Sequence, residues 1–347
     1  MKWFYYFFSI SVLMLSACEA KNAVNEKLVR FEAHANALNQ EDSLVFKLRD
    51  TSVELIGIEA NKIPVIYQNQ RIALSQLALG KHELSLRLNT TNGLKTEKKA
   101  VAIYAPNPPK KWKAELVGTY KHNTNYYTQG LEFVGDTLYE STGQKGRSII
   151  SVYNPFTNEQ YKSIKLDPSF FGEGITIIGN RLIQLTWQAK KGFIYDLGTL
   201  EKIGEFSYGA SLEGWGLTHD DKHVYKSDGS EYIYTLDPIS LEETGYLTVS
   251  SNNAFYKNAN ELERAGDYLY ANVYQKNSIM VFHKHSGALE GVIDLGFLAE
   301  QLNKDTNFDP LNSVLNGIAY HPSRKTFFVT GKNWNLLFEM RFSPEAP

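Results

Sequence analysis

Cysteine is nearly absent: Cys18 is the single one in 347 residues. That excludes an intrachain disulfide, a paired-cysteine zinc site and a dithiol redox couple. An excess of one charge is missing too. The 36 Lys+Arg nearly balance the 38 Asp+Glu, for a formal net charge of −2, so there is no electrostatic case for nucleic-acid binding. After the N-terminal stretch, no run is long and apolar enough to cross a bilayer, which takes ~20 residues. A GxSxG nucleophile elbow, a P-loop and a dinucleotide fingerprint are all lacking. His219, His283, His285 and His321 are scattered without ligand spacing, so no metal ligand set is expected. What remains is 43% hydrophobic, enough to bury a core, and rich in Tyr (21) and Phe (19). Such aromatics favour strands.

The N-terminus reads as an export segment. Lys2 precedes an apolar run at 3–15 that ends in Leu15-Ser16-Ala17-Cys18. The run is too short to span a membrane but fits the core of a signal peptide. Its end resembles the lipobox of bacterial lipoproteins. Residues 1–17 are therefore expected to be removed, Cys18 to carry a lipid, and 18–27 to form a polar tether at the cell envelope. The plainer alternative is an ordinary signal peptide cut near Ala20, with Cys18 discarded.

Residues 28–106 hold short alternating bursts. His82-Glu83-Leu84-Ser85-Leu86-Arg87-Leu88 alternates strictly, so one face is buried and the other wet. Asn92-Gly93 signals a hairpin, with a return strand at 95–104. Many short strands in so few residues predict a small immunoglobulin-like β-sandwich, a spacer or interaction module. Residues 105–111, with three prolines, read as a stiff linker.

Residues 107–347 contain a repeat. It appears as Gln129-Gly130-Leu131, Glu173-Gly174-Ile175, Trp215-Gly216-Leu217, Asn260-Glu261-Leu262 and Asn316-Gly317-Ile318, at spacings of 44, 42, 45 and 56 residues. A turn and three further strands follow each copy. The last copy lacks its fourth strand, and residues 114–120, ahead of the first copy, can supply it. Four short strands per ~45 residues is a propeller-blade signature. The expected fold is all-β, a five-bladed β-propeller preceded by the sandwich.

The first residue of each copy should face the central channel at one mouth. Gln129, Glu173, Trp215, Asn260 and Asn316 would converge there, with Trp187, Tyr274 and Lys332 in a second ring. Aromatic walls with a few aimed polar groups describe a small-molecule pocket. A desolvated Glu173 would suit general acid–base work; a turn carboxylate paired with an arginine or a backbone N–H is the plainer reading. The tryptophans could equally be core, and Lys332 a solvated lysine. The 300–313 insertion is either a lid or an inert loop.

Several motifs in order resemble the plant-type glutaminyl-peptide cyclotransferases that also occur in bacteria. They are Tyr127-Thr128-Gln129-Gly130-Leu131, Phe171-Gly172-Glu173-Gly174-Ile175, Leu185-Thr186-Trp187, Glu213-Gly214-Trp215-Gly216-Leu217, Tyr270-Ala271-Asn272-Val273 and Leu315-Asn316-Gly317-Ile318. The resemblance implies a five-bladed propeller that turns an N-terminal glutamine into pyroglutamate and releases ammonia. It implies Glu173 as the catalytic glutamate, with Lys332 and Asn260 as catalytic partners. Gln129, Trp187, Trp215, Tyr274 and Asn316 would bind substrate, Tyr274 standing where that family usually has tryptophan. The expected partners are peptides or proteins with N-terminal glutamine and, through the lipid, a membrane. No cofactor is expected, a structural ion in the channel is left open, and the protein is expected to be monomeric. The competing readings are a binding propeller without turnover and a metal-dependent lactonase-like hydrolase.

Overall fold

The computed structural model describes residues 27–32, 38–302 and 308–345. Cys18, the export segment and nearly all of the tether lie outside the described residues, as does the 303–307 part of the insertion.

Among the described residues the chain is all-β apart from two short 3-10 turns. Alternation explains the first sheets. In Gly80–Thr90, the side chains of Leu84, Leu86 and Leu88 are fully buried while Glu83 and Arg87 point outward. That strand pairs with Gly93–Tyr104 from Gly80↔Ile103 to Thr90↔Gly93. Gly93 adopts a φ of +97° at the turn, a conformation glycine takes without steric cost. A four-stranded and a five-stranded sheet enclose one core, in which Leu44, Phe46 and Ile72 of the first meet Ile58, Leu84 and Ile103 of the second.

The 105–111 stretch, read from the sequence as a stiff linker, is anchored at its start, while Asn107, Pro108, Lys110 and Lys111 are exposed. Ala105 is buried and donates its N–H to Ser251 O at 3.1 Å. Tyr104 stacks on Phe255, with centroids 4.7 Å apart. Lys110 already belongs to a strand. The prolines fall between the strand that ends at Tyr104 and the one that starts at Lys110.

Three four-stranded antiparallel sheets follow, starting with Thr128–Val134, Gly172–Ile178 and Leu217–His219. An eight-stranded sheet contains two more such units, starting with Ala259–Ala265 and Leu315–His321. Lys110–Lys121 joins these two. It runs antiparallel to Leu336–Pro344 from Trp112↔Pro344 to Lys121↔Leu336, and parallel to Leu289–Asp294 through Lys110↔Gly291 to Trp112↔Ile293. A strand from ahead of the first repeat thus completes the last unit and covers two edges that would otherwise be open.

The first strand of each unit lies against that of the next, and the fifth against the first, so the inner strands close a ring. The repeat's glycine explains how they come so near. A Cβ on Gly216 would sit 2.1 Å from Asn260 O, and one on Gly174 2.6 Å from Trp215 O. The fourth copy has Glu261 in place of glycine. Its carboxylate instead accepts the N–H groups of Leu131 at 3.3 Å and Ile318 at 2.7 Å, tying three inner strands together.

Candidate active site

Four inner strands slip register where the repeat begins: at Thr128/Gly130, Gly172/Ile175, Ala259/Leu262 and Leu315/Ile318. Gln129, Glu173, Asn260 and Asn316 fall inside these irregularities, without a ladder partner. A bulge re-aims side chains and ends pairing, which turns a strand residue into a site residue. All the inner strands run the same way around the ring, so their starts gather at one mouth.

A cavity of about 300 Å³ opens there. Its walls are Tyr127, Gln129, Phe171, Glu173, Trp187, Trp215, Asn260, Tyr274, Asn312 and Lys332. Seven of the eight residues expected to bind or react line it. Asn316 does not. It is fully buried beneath Gln129, donating its side-chain N–H groups to Gln129 Oε1 at 2.8 Å and Thr128 O at 2.9 Å. In this arrangement it holds Gln129.

Glu173 is 4% exposed and accepts a hydrogen bond from Gln129 Nε2 at 3.0 Å. Among the described residues no arginine is paired with it; its donor is a side-chain amide. Burial pushes its carboxyl well above the usual carboxylate range. The Lys332 charge pulls it back, the Glu213 charge pushes it further up, and the Gln129 hydrogen bond lowers it. Lys332 is 3% exposed, and burial brings it down to about 8 against the opposing pull of Glu173. Its ammonium lies 4.8 Å from the centroid of Tyr127 and 5.4 Å from that of Tyr274, as in a cation–π cage. An acid raised and a base lowered leave little cost for moving a proton near neutral pH.

The aromatic wall is held by a residue whose part the sequence did not reveal. Glu213 Oε2 accepts both indole N–H groups, from Trp187 at 2.6 Å and from Trp215 at 2.8 Å. Trp215 also rests on Gly229, where a Cβ would come within 2.5 Å of the indole. Tyr274 meets Trp215 edge-on at 5.4 Å, and Phe171 meets Trp187 at 5.5 Å. Releasing both indoles should weaken ligand binding more than reaction. Glu213→Ala is expected to raise KM for a Gln-peptide ~10-fold with a smaller change in kcat, given ~1.5–3 kcal/mol for hydrogen bonds to a charged group. Steady-state kinetics would show the reverse split if Glu213 served the reaction itself.

Tyr127, Phe171 and Glu213 were missed as site residues, and they share a signal. Each lies two positions before the first residue of its repeat copy, just ahead of the inner strand. Asn312 had a different one: it ends the 300–313 insertion, whose described end therefore reaches the cavity wall. Among the described residues, no three His, Cys, Asp or Glu side chains are grouped to hold a metal ion. A hollow of about 310 Å³ at the far ends of the inner strands, lined by Glu132, His219, Glu263 and Arg264, carries none of the candidate site residues.

The same arrangement has known relatives. The family profile described as glutamine cyclotransferase matches residues 86–342, beginning within the strand Gly80–Thr90. A curated glutaminyl-peptide cyclotransferase of Arabidopsis thaliana is 36% identical over 228 residues, which are 65% of this chain and 70% of that protein. The crystal structure of the Myxococcus xanthus glutaminyl cyclase superposes with a TM-score of 0.63 at 29% identity, over 69% of this chain and 100% of that one. With most of its length matched, and with the motifs of the site inside the match, this chain belongs to the glutamine cyclotransferase family.

Proposed function

We infer that Glu173 is the general acid–base of a glutaminyl-peptide cyclotransferase reaction, carried out in the aromatic cavity at the starts of the inner strands. The observation that carries this is a buried carboxyl of raised proton affinity, bonded to Gln129 and beside a buried ammonium.

The α-amine and the γ-amide belong to the same glutamine, so the cavity need only fold the residue into an attacking geometry. The amine nitrogen attacks the side-chain amide carbon and a C–N bond forms. Glu173 takes the proton that this nitrogen sheds. The carbonyl oxygen becomes an oxyanion, and Lys332 donates to it together with the side-chain amides of Gln129 and Asn260. Glu173 then gives its proton to the amide nitrogen, the old C–N bond breaks, and ammonia leaves the five-membered lactam. Trp187, Trp215 and Tyr274 exclude water, which would otherwise compete for the same carbon.

Lys332 fixes the alkaline side of the pH profile. It must be charged to stabilise the oxyanion, and that charge is lost as pH rises through about 8. The substrate amine must be neutral, which free α-amines become above ~7.7–8.0. The expected kcat/KM profile is a narrow bell centred close to the Lys332 value. Lys332→Gln should cut kcat/KM by ~10²–10³-fold and remove the falling limb. A falling limb that persists in this variant would assign it elsewhere.

The wider architecture fits the same picture. The five four-stranded units with a closed ring of inner strands are read as a five-bladed propeller, and the two N-terminal sheets as an immunoglobulin-like sandwich. Leu15-Ser16-Ala17-Cys18 supports export and lipid anchoring at a bacterial cell envelope, where peptides or proteins with N-terminal glutamine would be the substrates. The protein is taken to be a monomer that needs no cofactor. Ammonia release from a Gln-Gly peptide, unaffected by chelation, is the expected result. Binding without ammonia would favour a non-catalytic propeller.

A further inference from the structure

The site cavity has a neighbour. A hollow of about 140 Å³ lies beside it, with Lys145, Phe170, Phe171, Trp187, Gln188 and Ala189 in its lining. Phe171 and Trp187 line the Glu173 cavity as well, so the two spaces share an aromatic wall. We propose that the hollow is the subsite for the second residue of the peptide and that it selects an aromatic side chain. The proposal rests on the cyclotransferase reading of the first cavity.

Size is the first argument. A cavity of ~150 Å³ lined by apolar side chains takes up benzene, so this one has room for a phenyl ring. The second argument is the state of the wall. Trp187 is 36% exposed, yet its indole N–H is fixed on Glu213 at 2.6 Å. Gln188 donates to the other oxygen of the same carboxylate at 3.3 Å. A large apolar surface that is both bare and immobile is ready to be covered by a ligand. Phe171 is fixed as well. A Cβ on Gly143 would lie 2.3 Å from its ring and 3.1 Å from Gln129 Cγ, so glycine at that position lets Phe171 sit at the boundary of both spaces.

Reach is the third argument. Ring closure uses the α-amine and the side chain of the first residue, so its carbonyl is the only way out for the rest of the peptide. The next Cα lies ~3.8 Å further on, which places the second side chain against whatever adjoins the cavity. Phe170 packs edge-on to Phe193 at 5.0 Å and gives the hollow a second aromatic side. Lys145, exposed at its rim, opposes a basic second residue by like charge.

The test compares kcat/KM for Gln-Phe-amide and Gln-Gly-amide; the amides remove any effect of a C-terminal carboxylate. The full chain is expected to prefer Gln-Phe-amide about ten-fold, equivalent to about 1.4 kcal/mol. Ala189→Trp, which fills the hollow, should bring the ratio close to one. Ser169 also lines the hollow, and Ser169→Trp serves if the first variant does not fold. Equal rates on the two peptides in the unaltered chain would overturn the subsite while leaving the cyclotransferase reading intact. A ten-fold preference that survives filling would overturn it as well. Turnover of neither peptide would instead sink the reading of the first cavity.

Discussion

Glu173→Gln is expected to lower kcat for a Gln-Gly peptide by ~10²–10⁴-fold, the range for removing a general acid–base. Glutamine has nearly the same shape, and its amide oxygen can still accept the hydrogen bond from Gln129 that now measures 3.0 Å. The cavity should keep its form, and KM should move little. The variant should also be no less stable than the parent. Because burial raises the Glu173 carboxyl in the folded state, the fold binds its proton more tightly than the unfolded chain does. The stability this group contributes is therefore full below the unfolded value of ~4.3 and is lost as pH rises through the raised folded value. Removing the acid lifts that penalty at neutral pH. A thermal midpoint equal to or above the parent's, with activity nearly gone, is the combined result expected. Cyclisation at the normal rate would sink the acid–base role. Activity and stability falling together would make Glu173 structural.

Much of this was legible in the sequence, for a physical reason. Strands of period two, punctuated by turns, repeat at nearly constant spacing, and each copy opens on the same short pattern. The glycine after the first residue marks where inner strands approach, because there is no space there for a Cβ. The residue before it marks a bulge. Gln129, Glu173, Asn260 and Trp215 followed from that register alone. Roles that depend on contacts across the ring did not. Glu213 holds two indoles, one of them 26 positions away, and position in its repeat copy does not announce a partner at that distance. Asn316 misled because it carries the register signal but lies under Gln129. The fifth copy has the bulge, yet Gly317, at a φ of +121°, turns the chain so that Asn316 points at its neighbour.

The largest stability effect is expected far from any solvent, at Glu140. Its side chain and that of His122 are fully buried, with N–O distances of 3.1 and 3.2 Å. Thr128 Oγ1 donates to the same carboxylate at 2.7 Å and Tyr153 OH at 2.8 Å. His122 Nδ1 faces Trp334 O at 2.7 Å. Both ring nitrogens meet acceptors, so both must donate, and the imidazolium is the form that satisfies the site. Burial opposes that charge, but Glu140 and the Trp334 carbonyl more than offset it, and the His122 value stands above its ordinary one. Glu140→Ala leaves an imidazole and two hydroxyls without their acceptor, and removing one member of a buried pair costs ~3–5 kcal/mol. The sign of the pH dependence should invert as well. In the parent, the contribution of His122 is present below ~6.5 and lost as pH rises through the raised folded value. Without Glu140, burial dominates and holds His122 neutral, so stability is lost on acidification instead. Calorimetry across pH would show the inversion. An unchanged slope would mean that His122 is neutral in the parent too. The consequence reaches the site, because Thr128 precedes Gln129 and Trp334 follows Lys332 by two residues. The pair clamps the chain segments that carry Gln129 and Lys332, so the activity of Glu140→Ala should fall even at temperatures where it remains folded.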